Sequence, residues 1–125
     1  MGVRMKILVV EDEPELLEFF CYALRSLGHD VVSGTNGLEG MKCLTLNKID
    51  VILSDIDMPG MSGLAFHQKV RALPDYDRIP WIFLTAYKSL TKYDPAMSPK
   101  FDMILEKPFP LRKLLKLFSG QCKSQ

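Results

Sequence analysis

The chain has 125 residues, of which 47% are hydrophobic and 25% charged, and its formal net charge is +1. This length and composition predict that residues 1–125 form one globular domain with its own buried core. The small net charge argues against a nucleic-acid binder with a broad basic face, and no apolar run approaches the roughly 20 residues of a membrane span.

Apolar runs and helical stripes alternate along the chain. Runs that are apolar throughout are typical of strands buried on both faces, whereas apolar residues at every third or fourth position indicate helices. In chain order, this pattern predicts a strand at residues 6–10, a helix at 14–27, a strand at 30–33, a helix at 36–47, a strand at 51–53, a helix at 64–73, strands at 81–84 and 103–105, and a last helix with Leu111, Leu114, Leu115 and Phe118 on its apolar face.

Residues 87–102 interrupt this alternation. A fourth helix is expected here, but Pro95 and Pro99 fall within it and no clean apolar stripe is present. We therefore expect a degenerate fourth helix, short at most, followed by an irregular loop. The alternation elsewhere indicates βαβ units, so the predicted fold class is α/β, a five-stranded parallel sheet with helices on both faces.

Three cysteines, Cys21, Cys43 and Cys122, form no CxxC pair and are odd in number. Neither a disulfide framework nor a zinc site is expected, and a reducing cytoplasmic location fits best. Cys21 and Cys43 fall in helical patterns, where we expect them to be small apolar core residues.

Polar residues follow four of the predicted strands. Glu11 and Asp12 come after the first strand, Asp55 after the third, Thr85 after the fourth and Lys107 after the fifth. The carboxyl ends of parallel strands meet at one edge of a sheet, where ligands bind. These five side chains are therefore expected to point into one crevice.

This set contains the groups that phosphoryl capture requires. Crowded carboxylates repel each other and favour a hard cation such as Mg²⁺. A carboxylate can attack a phosphoryl group to give an aspartyl phosphate, while a cation neutralises the transferring oxygens and a hydroxyl donates to one of them. Taken singly, Asp12 with Glu15 also fits a helix capping box, Asp55 a turn and Lys107 a surface charge. Their convergence at one edge favours the functional interpretation.

Four segments resemble the receiver domain of two-component response regulators, and the resemblance extends over essentially the whole chain. The most specific is the family pattern D-x-x-M-P-x-M-x-G, which this chain matches from Asp55 to Gly63. The four segments are ILVVEDEP at residues 7–14, DIDMPGMSG at 55–63, LTA at 84–86 and KPF at 107–109.

The resemblance implies a flavodoxin-like, doubly wound three-layer sandwich with strand order 2-1-3-4-5. It implies that Asp55 is the phosphoacceptor and that Thr85 and Lys107 contact the phosphate. It further implies that Mg²⁺ is bound by Glu11, Asp12, Asp55 and the backbone carbonyl of Asp57.

The same resemblance implies a switch, not an enzyme, with self-phosphorylation and slow autodephosphorylation as its only reactions. His29 and His67 are expected to be exposed and away from the crevice, so the domain has no phosphohistidine of its own. A histidine kinase or a phosphotransfer protein would supply the phosphoryl group, and a downstream protein, unknown from the sequence, would read the switch. No direct contact with nucleic acid or membrane is expected.

Two features depart from the family pattern. Ile104 stands where the family usually has an aromatic residue whose rotation reports phosphorylation, and residues 100–102 read Lys-Phe-Asp in place of Gly-Ala-Asp. We therefore expect residues 87–102 to become more ordered on phosphorylation and to form a partner surface with the basic face of the last helix.

Two alternatives stay open at this point. The Asp55-Ile56-Asp57 sequence also resembles the D-x-D motif of haloacid-dehalogenase-type phosphohydrolases, although that reading leaves Glu11 and Asp12 unexplained. The second alternative is a receiver-like scaffold that is never phosphorylated, and the complete set of acidic, hydroxyl and lysine groups weighs against it.

Overall fold

A five-stranded parallel sheet forms the centre of the protein. The computed structural model describes residues 4–85, 98, 100–107 and 109–119. The strands are β1 (Lys6–Val10), β2 (Asp30–Gly34), β3 (Val51–Asp55), β4 (Trp81–Thr85) and β5 (Asp102–Glu106). They lie in the sheet in the order β2-β1-β3-β4-β5, and every neighbouring pair is parallel. The predicted fold class and strand order are thereby confirmed.

Within the part of the chain that the structure describes, four α-helices cover the two faces of this sheet. They are α1 (Pro14–Ser26), α2 (Gly37–Leu46), α3 (Gly63–Arg71) and α4 (Leu111–Ser119), and α4 is the helix that the sequence predicts after the fifth strand. Successive residues of a strand point to opposite faces. In β1, Ile7 and Val9 pack in the core under α1 and α4, whereas Leu8 and Val10 pack in the core under α2 and α3.

The helix ends follow local rules that the sequence contains. Asn36 and Ser62 precede α2 and α3, and their side-chain oxygens accept the backbone N–H groups of Glu39 at 2.9 Å and Ala65 at 3.1 Å. The first helix begins differently. Pro14 is its first residue, and Glu13 stands at the cap position without a side-chain bond. The capping-box reading of Asp12 is therefore wrong.

Helix α1 ends in a Schellman motif. Gly28 adopts a φ of +96°, a conformation that favours glycine. Its N–H donates to the Arg25 carbonyl at 2.9 Å, and the His29 N–H donates to the Leu24 carbonyl at 3.4 Å. This motif ends the helix and turns the chain into β2.

The expectation that both histidines are exposed is wrong. His29 is 7% exposed and His67 only 1%. His67 lies on α3 but faces β4 and β5, where its Nε2 lies 3.1 Å from Asp102 Oδ1 and its ring centroid 4.8 Å from that of Trp81. The burial of His67 depends on how far β4 and β5 extend beneath α3. Helical periodicity alone therefore did not reveal it.

The cysteines and the apolar stripe of α1 largely follow expectation. Cys21 is buried, Cys43 is half-buried, and both are free, whereas Cys122 lies outside the described residues. On α1 the side chain of Leu17 is buried, while that of Leu16 is half-buried.

Most of the segment at residues 87–102 lies outside the described residues, so the degenerate fourth helix and its predicted ordering stay predictions. Ile104 is described. It is half-buried and packs against the core under α2 and α3. Over the described ranges, no helix combines the length and apolar character needed to cross a membrane.

Candidate functional site

Three carboxylates meet at the carboxyl edge of the sheet. Glu11 and Asp12 directly follow β1, and Asp55 is the last residue of β3. One carboxylate oxygen from each lies within 4.8 Å of the others. Lys107 follows β5 and places its Nζ 3.4 Å from Glu11 Oε1 and 3.5 Å from Asp55 Oδ2. The sequence prediction that these four residues converge is confirmed.

Backbone hydrogen bonds hold two of these carboxylates in place. Glu11 Oε2 accepts the N–H of Glu13 at 3.2 Å, and Asp55 Oδ1 accepts the N–H of Ile56 at 2.9 Å. The Ser54 hydroxyl donates to the carbonyl of Asp55 at 2.8 Å. Each carboxylate thus keeps an oxygen on the crevice side for a cation or a phosphoryl group.

The loop after β3 depends on a glycine at its end. The Gly63 N–H donates to the Ile56 carbonyl at 2.7 Å, which closes the loop onto the start of α3. A Cβ on Gly63 would clash with the Asp55 carbonyl oxygen and with Ile56 Cα. The sequence motif showed that a glycine stands here, and the close approach of backbone to backbone explains why.

Thr85 and Asp57 complete the predicted set. Thr85 is the last residue of β4 and is buried, and its carbonyl accepts the N–H of Lys107 at 2.7 Å. This bond ties the ends of β4 and β5 together beside the lysine. Asp57 lies in the loop after β3, two residues beyond Asp55, with an exposed side chain.

The crowding raises the pKa values of two carboxyl groups. Burial and, next, the neighbouring Asp55 carboxylate raise the pKa of Glu11 to about 7, although Lys107 acts to lower it. Burial also raises the pKa of Asp55, against the lowering effect of Lys107 and of the Ile56 N–H. One lysine therefore does not neutralise the three acids.

A hard divalent cation fits this donor set. Mg²⁺ prefers oxygen ligands and is usually bound by one or two carboxylates with several waters. The cluster supplies three carboxylates, two of them buried and incompletely compensated. A cation between them would offset the burial and the mutual repulsion that raise the pKa values of Glu11 and Asp55.

An apolar groove beside Lys107 was not anticipated from the sequence. It has a volume of about 310 Å³ and is lined by Leu16, Phe19, Phe20, Phe109 and Leu111 as well as by the lysine. Phe19 is 46% exposed. The available signal was its position on α1, off the apolar stripe of that helix, where a large apolar residue is unusual.

Comparison with known families gives one match across nearly the whole chain. The profile described as "Response regulator receiver domain" matches residues 7–119. A probable chemotaxis protein CheY from Rhizobium etli is 31% identical over 112 residues, which are 89% of this chain and 87% of that protein. The sensor histidine kinase RcsC of Escherichia coli is 33% identical over 107 residues, which are 86% of this chain but only 11% of the kinase.

Solved structures agree with this match. The chemotaxis response regulator CheY4 of Vibrio cholerae superimposes with a TM-score of 0.82 at 29% identity, covering 93% of this chain and 97% of that one. The receiver domain of a sensor histidine kinase from Pseudomonas aeruginosa, with a magnesium ion coordinated in its active-site cleft, gives 0.77 at 28% identity, covering 94% and 99%. TrrA from Thermotoga maritima, in complex with Mg²⁺ and BeF, gives 0.78 at 31% identity, covering 91% and 96%.

Proposed function

The chain belongs to the response regulator receiver family, a family of phosphorelay signalling switches, and from that premise we propose that it accepts a phosphoryl group on Asp55. The observation that carries this proposal is the cluster of Glu11, Asp12 and Asp55, with Lys107 in contact with Glu11 and Asp55. The phosphohydrolase alternative loses its basis, because the family match spans residues 7–119 and accounts for Glu11 and Asp12.

In the proposed reaction, a carboxylate oxygen of Asp55 attacks the phosphorus atom of a phosphohistidine or of a small phosphodonor. A new P–O bond forms, and the donor's bond to phosphorus breaks. The bond from Ile56 N–H to Oδ1 orients the carboxylate, while Oδ2 lies on the side of Lys107. The Lys107 ammonium group neutralises charge on the transferring oxygens. We assign the Thr85 hydroxyl to another of these oxygens.

Glu11, Asp12 and Asp55 would hold Mg²⁺, and the backbone carbonyl of Asp57 belongs to the proposed ligand set. When bound, this ion would supply positive charge at the phosphoryl oxygens and relieve the repulsion among the carboxylates. The proposal also includes a histidine kinase or phosphotransfer protein as donor, a downstream protein partner, and a cytoplasmic location. Slow self-dephosphorylation, not turnover, would return the switch to its starting state.

Intact-mass measurement tests this proposal directly. With acetyl phosphate and Mg²⁺ the chain should gain one phosphoryl group, and EDTA should prevent the gain. Asp55→Asn should abolish it, because an amide oxygen is a poor nucleophile, whereas Asp77→Asn, a matched change at an exposed acid distant in sequence, should not. Unchanged labelling of Asp55→Asn contradicts the assignment. Absence of labelling in the natural chain supports a non-phosphorylated scaffold.

A further inference from the structure

The apolar groove beside Lys107 adjoins the crevice of the acidic cluster. Lys107 lines the groove, and its Nζ lies 3.5 Å from Asp55 Oδ2 and 3.4 Å from Glu11 Oε1. One side chain therefore belongs to both the groove and the crevice. A lysine has an apolar stem and a charged head, which suits a position between apolar walls and carboxylates. The groove thus has a positive charge at the end that faces Asp55.

The walls of the groove are aromatic and aliphatic. The ring centroids of Phe19 and Phe20 lie 6.1 Å apart, and Phe20 stacks on Phe109 with centroids 6.2 Å apart and an angle of 7° between the rings. Phe20 is part of the hydrophobic core, so the core anchors the two outer rings through it. Leu16 and Leu111 complete the walls. The groove is thus an apolar surface that is already formed, with Phe19 partly open to solvent.

A second link between the groove and the acids runs along the start of α1. A hollow at the first turn of this helix shares Leu16 and Phe19 with the groove, and Glu13 also lines it. The Glu13 N–H donates to Glu11 Oε2 at 3.2 Å. The apolar surface of α1 therefore begins directly beside the acidic cluster.

We propose that the groove binds the leaving group of a small phosphodonor and favours acyl phosphates whose acyl group is aromatic. This inference rests on the proposed function of Asp55 and makes its substrate class more specific. Such a donor has an anionic phosphoryl end and an apolar body. The groove matches it with apolar walls and the Lys107 ammonium group at one end. Burial of the ring contributes binding free energy that the methyl group of acetyl phosphate cannot supply.

The size of the groove and the balance of the reaction agree with this substrate class. A cavity of about 150 Å³ is enough to bind benzene, and the groove has a volume of about 310 Å³. An oxygen of Asp55 attacks phosphorus, and the bond from phosphorus to the acyl oxygen breaks. The bonding electron pair leaves with the departing carboxylate, so the step requires no further reactant. The groove positions the ring of that carboxylate.

Labelling of the full chain with two donors tests the subsite. Benzoyl phosphate and acetyl phosphate are compared by intact mass with Mg²⁺, at concentrations well below saturation. The benzoyl-to-acetyl rate ratio is then compared between chains, so that the intrinsic reactivity of each donor cancels. Phe19→Ala removes one wall and should lower this ratio about fivefold. Tyr22→Ala is the matched control, because Tyr22 is a 73% exposed aromatic residue of the same helix outside the described lining of the groove. It should keep the ratio of the natural chain.

Solution NMR gives a readout that needs no phosphoryl transfer. Phenylphosphonate has the ring and the anionic group but cannot transfer its phosphorus. In the presence of Mg²⁺ it should shift the methyl signals of Leu16 and Leu111, whereas methylphosphonate should not. Phe19→Ala should weaken the shifts that phenylphosphonate causes.

Two results would overturn the subsite and leave the role of Asp55 intact. They are an equal benzoyl-to-acetyl ratio in the natural chain and in Phe19→Ala, and phenylphosphonate spectra without shifts at Leu16 and Leu111. Absence of labelling by both donors would contradict the proposed function itself, and the leaving-group subsite with it. If Phe19→Ala does not fold, the phenylphosphonate and methylphosphonate spectra of the natural chain decide the question.

Discussion

At the scale of single residues, Glu11 has the strongest electrostatic perturbation at the site. Its carboxyl group is buried beside Asp55, and its pKa is raised to about 7. A metal ligand must be deprotonated, so the proposed Mg²⁺ binding would have to displace a proton from Glu11 below that pH. Mg²⁺ affinity would then be coupled to proton concentration within the physiological range.

We therefore expect Mg²⁺ affinity to fall about tenfold per pH unit below about pH 7, where one proton is released for each ion bound. Isothermal titration calorimetry at several pH values measures this slope. Glu11→Gln should weaken binding and remove most of the dependence, because the amide does not titrate. A natural chain whose affinity is constant between about pH 8 and pH 6 would refute the coupling.

Lys107 acts on the same acids through its charge. Its Nζ lies within 3.5 Å of Asp55 and 3.4 Å of Glu11, and its removal leaves no void in the core. We expect Lys107→Ala to change the free energy of unfolding by less than about 1 kcal/mol. It should also abolish the conformational response to beryllofluoride, followed by NMR. Lys116→Ala, at an exposed lysine on α4, is the matched control and should preserve the response. Unfolding of Lys107→Ala at room temperature would assign the lysine a structural role instead.

At the scale of secondary-structure elements, the end of α1 depends on the backbone conformation of Gly28. Its φ of +96° is costly for any residue with a Cβ, although a Cβ there would have open space around it. We expect Gly28→Ala to lower the free energy of unfolding by about 1 kcal/mol, and Gly28→Asn by less, because asparagine tolerates this conformation better. Urea denaturation measures both changes. Equal stability of Gly28→Ala and the natural chain would contradict this account.

The sequence predicted most elements because their signals are local. Apolar runs located the strands, and apolar residues at every third or fourth position located the helices. The failures concern contacts between distant segments. His67 is buried because Asp102 and Trp81 lie beneath it, and no pattern within α3 contains that information. The capping box of Asp12 failed because the tertiary site, not the helix, determines where that side chain points.

At the scale of the whole molecule, the site residues were predictable because parallel strands bring their carboxyl ends to one edge. Glu11, Asp12, Asp55 and Lys107 lie at the ends of three strands and needed only the strand order to converge. The pKa values of the carboxyl groups at the site were not predictable in the same way. The raised pKa values of Glu11 and Asp55 depend chiefly on burial, which no local sequence pattern gives.

This burial makes the stability of the metal-free protein depend on pH. In the folded state the pKa of Glu11 is raised from 4.5 to about 7, so between these values the folded chain binds more protons than the unfolded chain. The contribution of Glu11 to stability therefore decreases as the pH rises from about 4.5 to about 7. Thermal melts should show a lower Tm for the metal-free chain at pH 8 than for Glu11→Gln, and added Mg²⁺ should raise only the former strongly. A Glu11→Gln variant that melts below the natural chain under these conditions would contradict this sign.

The parallel arrangement of the sheet also has a consequence for how the chain folds. No strand pairs with its neighbour through a hairpin, since each register joins segments separated by a helix or a long crossover. Strand β1 lies between β2 and β3, and along the chain β2 follows it first while β3 follows only after a further helix. Its second edge therefore stays open during synthesis until β3 has left the ribosome. The chain loses the conformational entropy of closing each long loop before strand pairing contributes any stability. Folding is therefore slower than in helical bundles. Until the third strand arrives, the open edge of β1 is available to pair with another chain, which is a route to aggregation.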